Sequence, residues 1–334
     1  MMIRTMIQSR TVFVMTILLC IGSLFLGPGP SVFAEVVWDP ASVVLESHQL
    51  GQGVYAVVPK GATAANAKGY PVATSGGFVV GDEGVLVVES MINKVLANQV
   101  MALVQSVTSK PIQYLVNTSY HGDHSYGNYA FPPTTLIIQH PNTQTYISNP
   151  EIFNNDKAFM MKYFGEHVGI EEVEARPADI LVEDTKTLNL GNREVQIKHW
   201  GFAQTSGDLF VWVPDEKVLW MGNPVVAIPP ALPWLLEGHH RESLATLKKI
   251  RDFLPEDATI VPGHARPMKP SDIDFTIQYL ETLDNKVQTA IANNLSLEET
   301  QQAFTMPSFQ GYALFGWVHS GVNVPAVYHA LSAQ

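Results

Sequence analysis

Twice in this chain an apolar run ends abruptly in a histidine motif. PIQYLVNTS (111–119) leads into YHGDHSYGN (120–128), and ATIVPGH (258–264) ends on His264. Runs of this composition, bounded by turn residues, read as strands. Ligand sites of α/β proteins commonly sit at the carboxyl ends of strands. A fold for this chain must therefore carry chemistry on its strand ends, and it must do so in two distant parts of the sequence.

The rest of the pattern fits that demand. After a polar entry, GVYAVVP (53–59) reads as a strand, and GFVVGDEGVLVVES (77–90) as two strands turning at Gly81-Asp82-Glu83-Gly84. NKVLANQVMALVQSVT (93–108) places Val95, Leu96, Val100, Leu103 and Val104 at helical spacing. TTLIIQH (134–140) is a strand, and residues 141–180 are mixed and partly helical. Strands return at KTLNL (186–190), EVQIKHWG (194–201), DLFVWVP (208–214) and KVLWMGN (217–223). Helices are predicted over 241–254 and 271–294, and the C-terminal remainder is helical too. The order describes an α/β chain of two similar halves. No linker divides residues 35–334, so they are expected to form one domain.

Arg4 and Arg10 precede the apolar run TVFVMTILLCIGSLFLG (11–27), and Val32 and Ala34 follow it. A basic start, an apolar core and small residues describe a signal peptide over residues 1–34, cut after Ala34. The run is short for a spanning helix, so no stable membrane insertion is expected after cleavage, and the mature protein is expected in the periplasm or secreted. Without residues 1–34, the 20 Lys and Arg fall to 18 against 31 Asp and Glu. Such an acidic balance argues against nucleic acid as a partner. Cys20, the one cysteine, leaves with the leader. Any metal site must then use His, Asp, Glu or neutral oxygen donors.

His121, Asp123 and His124 supply such donors within four residues. Imidazole and carboxylate together suit a borderline dication such as zinc. Further along, GFAQTSGD (201–208), WMGN (220–223) and VPGH (261–264) follow or end strands. With these segments in this order, the chain resembles the metallo-β-lactamase superfamily over roughly residues 45–334. The resemblance implies a four-layer αββα sandwich with a metal centre along one edge of its two sheets.

Three positions depart from the family pattern. Its loop usually reads HxHxDH, and here the first histidine position is Ser119. Its histidine before TxGD is Gln204, and its bridging aspartate is Asn223. The resemblance assigns Ser119, His121 and Gln204 to one metal position, where one good ligand survives. It assigns Asp123, His124 and His264 to the other, which is complete. Two dications 3.5–4 Å apart repel by on the order of 20 kcal/mol even at an effective dielectric of 20. Losing a bridging carboxylate at Asn223 therefore favours one zinc ion over two.

The expected activity is hydrolysis of an ester, lactone, amide or related bond in a small-molecule substrate, by a water that one zinc ion activates. Asp123 and His121 would carry the catalysis. His121 would act as a general base or orient the water, or serve as a further ligand. Ser119, Gln204 and Asn223 would contact water or substrate. The alternative is a catalytically silent binding protein on the same fold. Glu89 stands where the family supports its metal loop with an aspartate. His199 is expected to be a packing residue. The loop carrying Trp234, Leu235, His239 and His240 could line the mouth of the site or simply run over the surface. His140, His319 and His329 have no motif around them.

Overall fold

Strands that are buried on both faces read as continuous apolar runs, and this chain has several. The computed structural model describes residues 39–165 and 168–333. The expected signal peptide, residues 1–34, lies outside them. Seven strands form one sheet in sequential order: β1 (Leu45–Gly51), β2 (Val54–Pro59), β3 (Gly76–Val80), β4 (Val85–Val88), β5 (Ile112–Val116), β6 (Leu136–Gln139) and β7 (Ile180–Leu181). Five more, β8 (Thr185–Asn189), β9 (Glu194–Lys198), β10 (Phe210–Val213), β11 (Val218–Gly222) and β12 (Thr259–Pro262), form the second sheet.

Each sheet repeats one plan. Antiparallel neighbours come first, and then the chain crosses over through a helix to a parallel strand. Helix α2 (Lys94–Val107) joins β4 to the parallel β5, and α6 (His240–Phe253) joins β11 to the parallel β12. The other helices are α1 (Ala62–Ala67), the short α3 (Gly122–Ser125), α4 (Pro141–Ser148), α5 (Pro150–Phe164), α7 (Ile273–Ala292), α8 (Leu297–Ala303) and α9 (Val324–Ser332). Among the described residues, no helix is long and apolar enough to cross a membrane.

Alternation along the strands builds the layers. In β4, Val85 and Val87 pack beneath α2, while Leu86 and Val88 face the opposite sheet. In β10, Phe210 and Trp212 pack beneath the C-terminal helices, while Val211 and Val213 enter the shared interior. Three apolar clusters result, one between the sheets and one outside each. This is the αββα sandwich that the sequence implied. Several elements escape the sequence pattern, among them the two-residue β7 at the end of the stretch read as partly helical. β1 is an edge strand with exposed polar residues, which reads as a polar entry, and α1 is a single short run of small residues.

Trp220 fills the centre of the shared interior, and its indole N–H donates to the Gly76 carbonyl at 2.9 Å. Trp220→Ala should therefore cost about 3–5 kcal/mol, read as a lower denaturation midpoint with an unchanged slope.

Candidate metal centre

β5 ends at Val116, and the loop beyond it is held from below by buried amides. Asn117 donates to the His124 carbonyl at 3.0 Å and to Asn128 at 3.0 Å, and Gln139 donates to Asn117 at 2.7 Å. The Ser90 backbone N–H and hydroxyl donate to the same His124 carbonyl at 3.0 and 3.1 Å. Two glycines of the motif are close approaches. A Cβ on Gly122 would run into the Tyr126 ring, and one on Gly127 into the Ser90 carbonyl. His121 caps α3, whose single turn then presents Asp123 and His124.

His264 arrives from the other sheet. Its backbone N–H donates to Val226 at 2.6 Å, and its carbonyl accepts from Val72 at 3.0 Å. Its Nδ1 lies 2.9 Å from the Val72 carbonyl. That contact places the proton on Nδ1 and turns the lone pair of Nε2 towards Asp123. The Asp123 Oδ2 atom is 3.4 Å from His264 Nε2 and 3.5 Å from His124 Nε2. It also accepts the Thr74 hydroxyl at 2.7 Å.

These spacings test whether an ion fits. Good N–H···O bonds run 2.7–3.2 Å, so the two Asp123–His contacts are too long for that purpose. Four ligands bound at 2.0–2.1 Å in a tetrahedron lie about 3.3 Å apart, close to what is seen. One ligand atom from each of Asp123, His124 and His264 lies within 4.8 Å of the others, and all three residues are buried. His124 Nε2 has no hydrogen-bond partner. The residues fit a divalent ion with two imidazoles and one carboxylate.

Supporting groups surround the cluster. Glu89 Oε1 lies 3.0 Å from His124 Nδ1, within reach of that ring nitrogen. The Thr118 backbone N–H donates to the same carboxylate at 3.3 Å, and the Thr118 hydroxyl donates to it as well. The longer side chain at this position therefore reaches. Glu89 adopts φ 70°, and Met91 nearby φ 68°, both left-handed conformations that cost energy for side-chain-bearing residues. Val72 and Thr74 were not legible as site residues, since no motif marks PVATSGG. Asp208 was legible only as part of TSGD. Its carboxylate accepts from the N–H groups of Ala203, Gln204 and Thr205 at 3.2, 2.6 and 2.8 Å and so folds the loop that presents Gln204.

The three departing residues also come to the site. The Asn223 amide nitrogen lies 3.1 Å from His121 Nδ1, which makes that nitrogen an acceptor and leaves the imidazole proton on Nε2. Ser119 accepts from the His121 N–H at 3.3 Å. Gln204 turns its amide nitrogen towards the Trp234 carbonyl at 3.5 Å. The side-chain oxygens of Gln204 and Asn223 are buried without partners.

Other histidines lie apart. The His199 ring packs tilted at 33° against His140, with centroids 4.3 Å apart, and its Nδ1 meets the Asp208 carbonyl at 2.8 Å. His240 is buried against Asp284 at 2.6 Å, while His239 is exposed beside Phe202. Leu235 joins the core, whereas Trp234 stacks near His264 with centroids 6.3 Å apart.

Burial pushes His121 down to about 4, with Asp123 opposing, although part of the residue keeps solvent access. Burial alone would raise Asp123. The charges of His124, His264 and His121 and the Thr74 hydroxyl outweigh it and hold Asp123 at about 2. Burial would likewise lower His124, but Asp123 and Glu89 outweigh it and lift His124 to about 9. His264 is lowered, chiefly by burial. The ion-free cluster thus holds a proton on His124 that an incoming cation must displace.

Three outcomes follow. Apparent metal affinity should rise about tenfold per pH unit from pH 7 to about 9 and then level, measured by competition with a chromophoric chelator. In the ion-free protein the His124 shift stabilises the fold below pH 6.5, and that contribution fades as pH rises towards about 9. Glu89→Gln should weaken metal binding by about 10–100-fold in the same assay.

The profile of the metallo-beta-lactamase superfamily matches residues 69–264. The stereoselective inverting sec-alkylsulfatase Pisa1 from a Pseudomonas species superposes with a TM-score of 0.67 at 13% identity, covering 86% of this chain and 50% of that one. This chain therefore spans half the length of that alkylsulfatase. A metallo-beta-lactamase from Pontibacter korlensis gives 0.51 at 16% identity, over 71% of this chain and 99% of the other. One from Hirschia baltica gives 0.54 at 14% identity, over 71% and 97%. At these identities the likeness concerns the fold.

Proposed function

This chain belongs to the metallo-β-lactamase superfamily, and on that footing we propose that it is an exported hydrolase holding one zinc ion on Asp123, His124 and His264. Its substrate on this reading is a small molecule with an ester, lactone, amide or related bond. The observation that carries the reading is the trio of buried ligand atoms with tetrahedral-edge spacing and an unpartnered His124 Nε2. Export is supported by the leader-like composition of residues 1–34.

When bound, zinc supplies polarisation of a carbonyl and a nucleophile at neutral pH. The chain's own residues do the rest. Glu89 and the Val72 carbonyl orient the two imidazoles, and Thr74 fixes the carboxylate. His121 is neutral at pH 7 and accepts from Asn223 at Nδ1, so its Nε2–H is a donor. It orients a water or a substrate oxygen. General-base work by His121 Nε2, the other role expected of it, requires the opposite tautomer. The free oxygens of Gln204 and Asn223 accept from an N–H or O–H of water or substrate. One ion is favoured over two because Ser119, Gln204 and Asn223 bring neither imidazole nor negative charge to the neighbouring position.

Metal analysis of the purified chain after zinc supply should find close to one ion, and His264→Ala should lose it. Close to two ions would sink the one-ion reading. A panel of lactams, lactones, thioesters and aryl esters should show turnover that a chelator removes and zinc restores. Full zinc loading with no turnover across the panel would favour the silent binding protein. Ser119→His should add a second ion only when combined with Asn223→Asp.

A further inference from the structure

Residues 265–334 lie beyond the segment matched by the superfamily profile. They supply α7 to α9 and a π-helical stretch, Gly316–Asn323. π-helical turns are rare and frequently mark functional positions. From the end of this stretch a line of buried hydrogen bonds reaches the loop beside the ligand cluster. The Asn323 side-chain oxygen accepts from the Leu235 N–H at 3.0 Å. Its amide nitrogen donates to the Pro233 carbonyl at 2.7 Å and to the Tyr279 hydroxyl at 3.0 Å. Tyr279 in turn donates to His319 Nδ1 at 2.9 Å, and His319 Nε2–H donates to the Phe304 carbonyl at 2.7 Å. Every donor along the line has an acceptor, and Asn323, Tyr279 and His319 are buried. Such fully satisfied networks fix one geometry.

Asn323 thus brackets one residue, Trp234, from both sides. The Trp234 ring lies nearly parallel to that of His264, at 17° and 6.3 Å. Its indole N–H donates to the Tyr312 hydroxyl at 3.1 Å, and Trp317 packs edge-on at 5.2 Å. Its carbonyl faces the Gln204 amide. Trp234 itself is half-buried, so these partners do not wholly enclose the residue. A rigidly held aromatic side chain that is not wholly enclosed offers contact area at small cost in conformational entropy.

We propose that Trp234 is the substrate-facing wall of the site, favouring an aryl group next to the bond that is cleaved, and that Asn323 is the positioning residue that sets it. The substrate class rests on the hydrolase reading above. The wall itself is tested without it, using neutral probes that need no ion. Benzamide and acetamide are titrated into the full chain, with and without cobalt(II), and followed by NMR of the indole N–H signals. Benzamide should bind on the order of tenfold more tightly than acetamide. Trp234→Ala and Asn323→Ala should erase that advantage, and Tyr312→Phe, which removes only the hydroxyl partner of the indole, should reduce it. Leu283→Ala, a truncation in the same helical layer, should lower stability and leave the advantage intact. Hydrogen exchange at the Leu235 amide should quicken in Asn323→Ala and not in Leu283→Ala. Equal binding of the two amides to the parent chain would overturn the wall. An advantage that falls as far in Leu283→Ala as in Asn323→Ala would overturn the positioning role. Failure of cobalt(II) to bind would sink the hydrolase reading alone.

Discussion

The interior shared by the two sheets is the constraint on which the candidate metal centre depends. Val88 and Val116 from one sheet and Val211, Trp220 and Val261 from the other lie in that interior. Because these strands are apolar on both faces, they can be covered only by a second sheet on one side and helices on the other. Once they stack, the ends of β5, β11 and β12 open on one edge, and the segment before β3 is drawn across them. His264 then meets Asp123 and His124 although far from them in sequence, and Thr74 lies against Asp123.

Burying charge at that edge is costly unless each group is answered. Here the answers are explicit. Asp123 faces two imidazoles and a hydroxyl, and His124 faces Asp123 and Glu89. The left-handed backbone at Glu89 is consistent with that demand, since it places the carboxylate where His124 Nδ1 and Thr118 converge on it. Without an ion, a proton on His124 partly offsets the carboxylates that face it. A dication placed among the same three ligand atoms would offset them more strongly and would hold the imidazoles at the spacings already present.

Beside this half of the centre, Ser119, Gln204 and Asn223 occupy the positions where the family pattern has histidines and an aspartate. They are not idle polar fill. Asn223 fixes the tautomer of His121, and the loop bearing Gln204 is folded by Asp208. In the structure these three side chains make hydrogen bonds, and the carbonyl oxygens of Gln204 and Asn223 are left unanswered. The C-terminal layer adds Trp234 on the same side.

Much of this was legible in the sequence. Apolar runs bounded by turn residues marked nearly all the strands, and the ordered motifs marked Asp123, His124, His264 and the three departures. Local pattern reaches that far because strand propensity, turns and ligand type are properties of neighbouring residues. Val72, Thr74 and Asn323 carry no such mark, since each acts through a contact to a residue remote in sequence, and one backbone carbonyl looks like any other. The tautomer of His121, the reach of Glu89 and the place of Trp234 over His264 depend on distances of a few tenths of an ångström between separate elements. The sequence by itself determined which donors this protein has and on which strand ends they stand. Only the packing of the two sheets and the C-terminal helices decided which of them meet, because burial and hydrogen-bond geometry act between surfaces that the chain brings together at the last step.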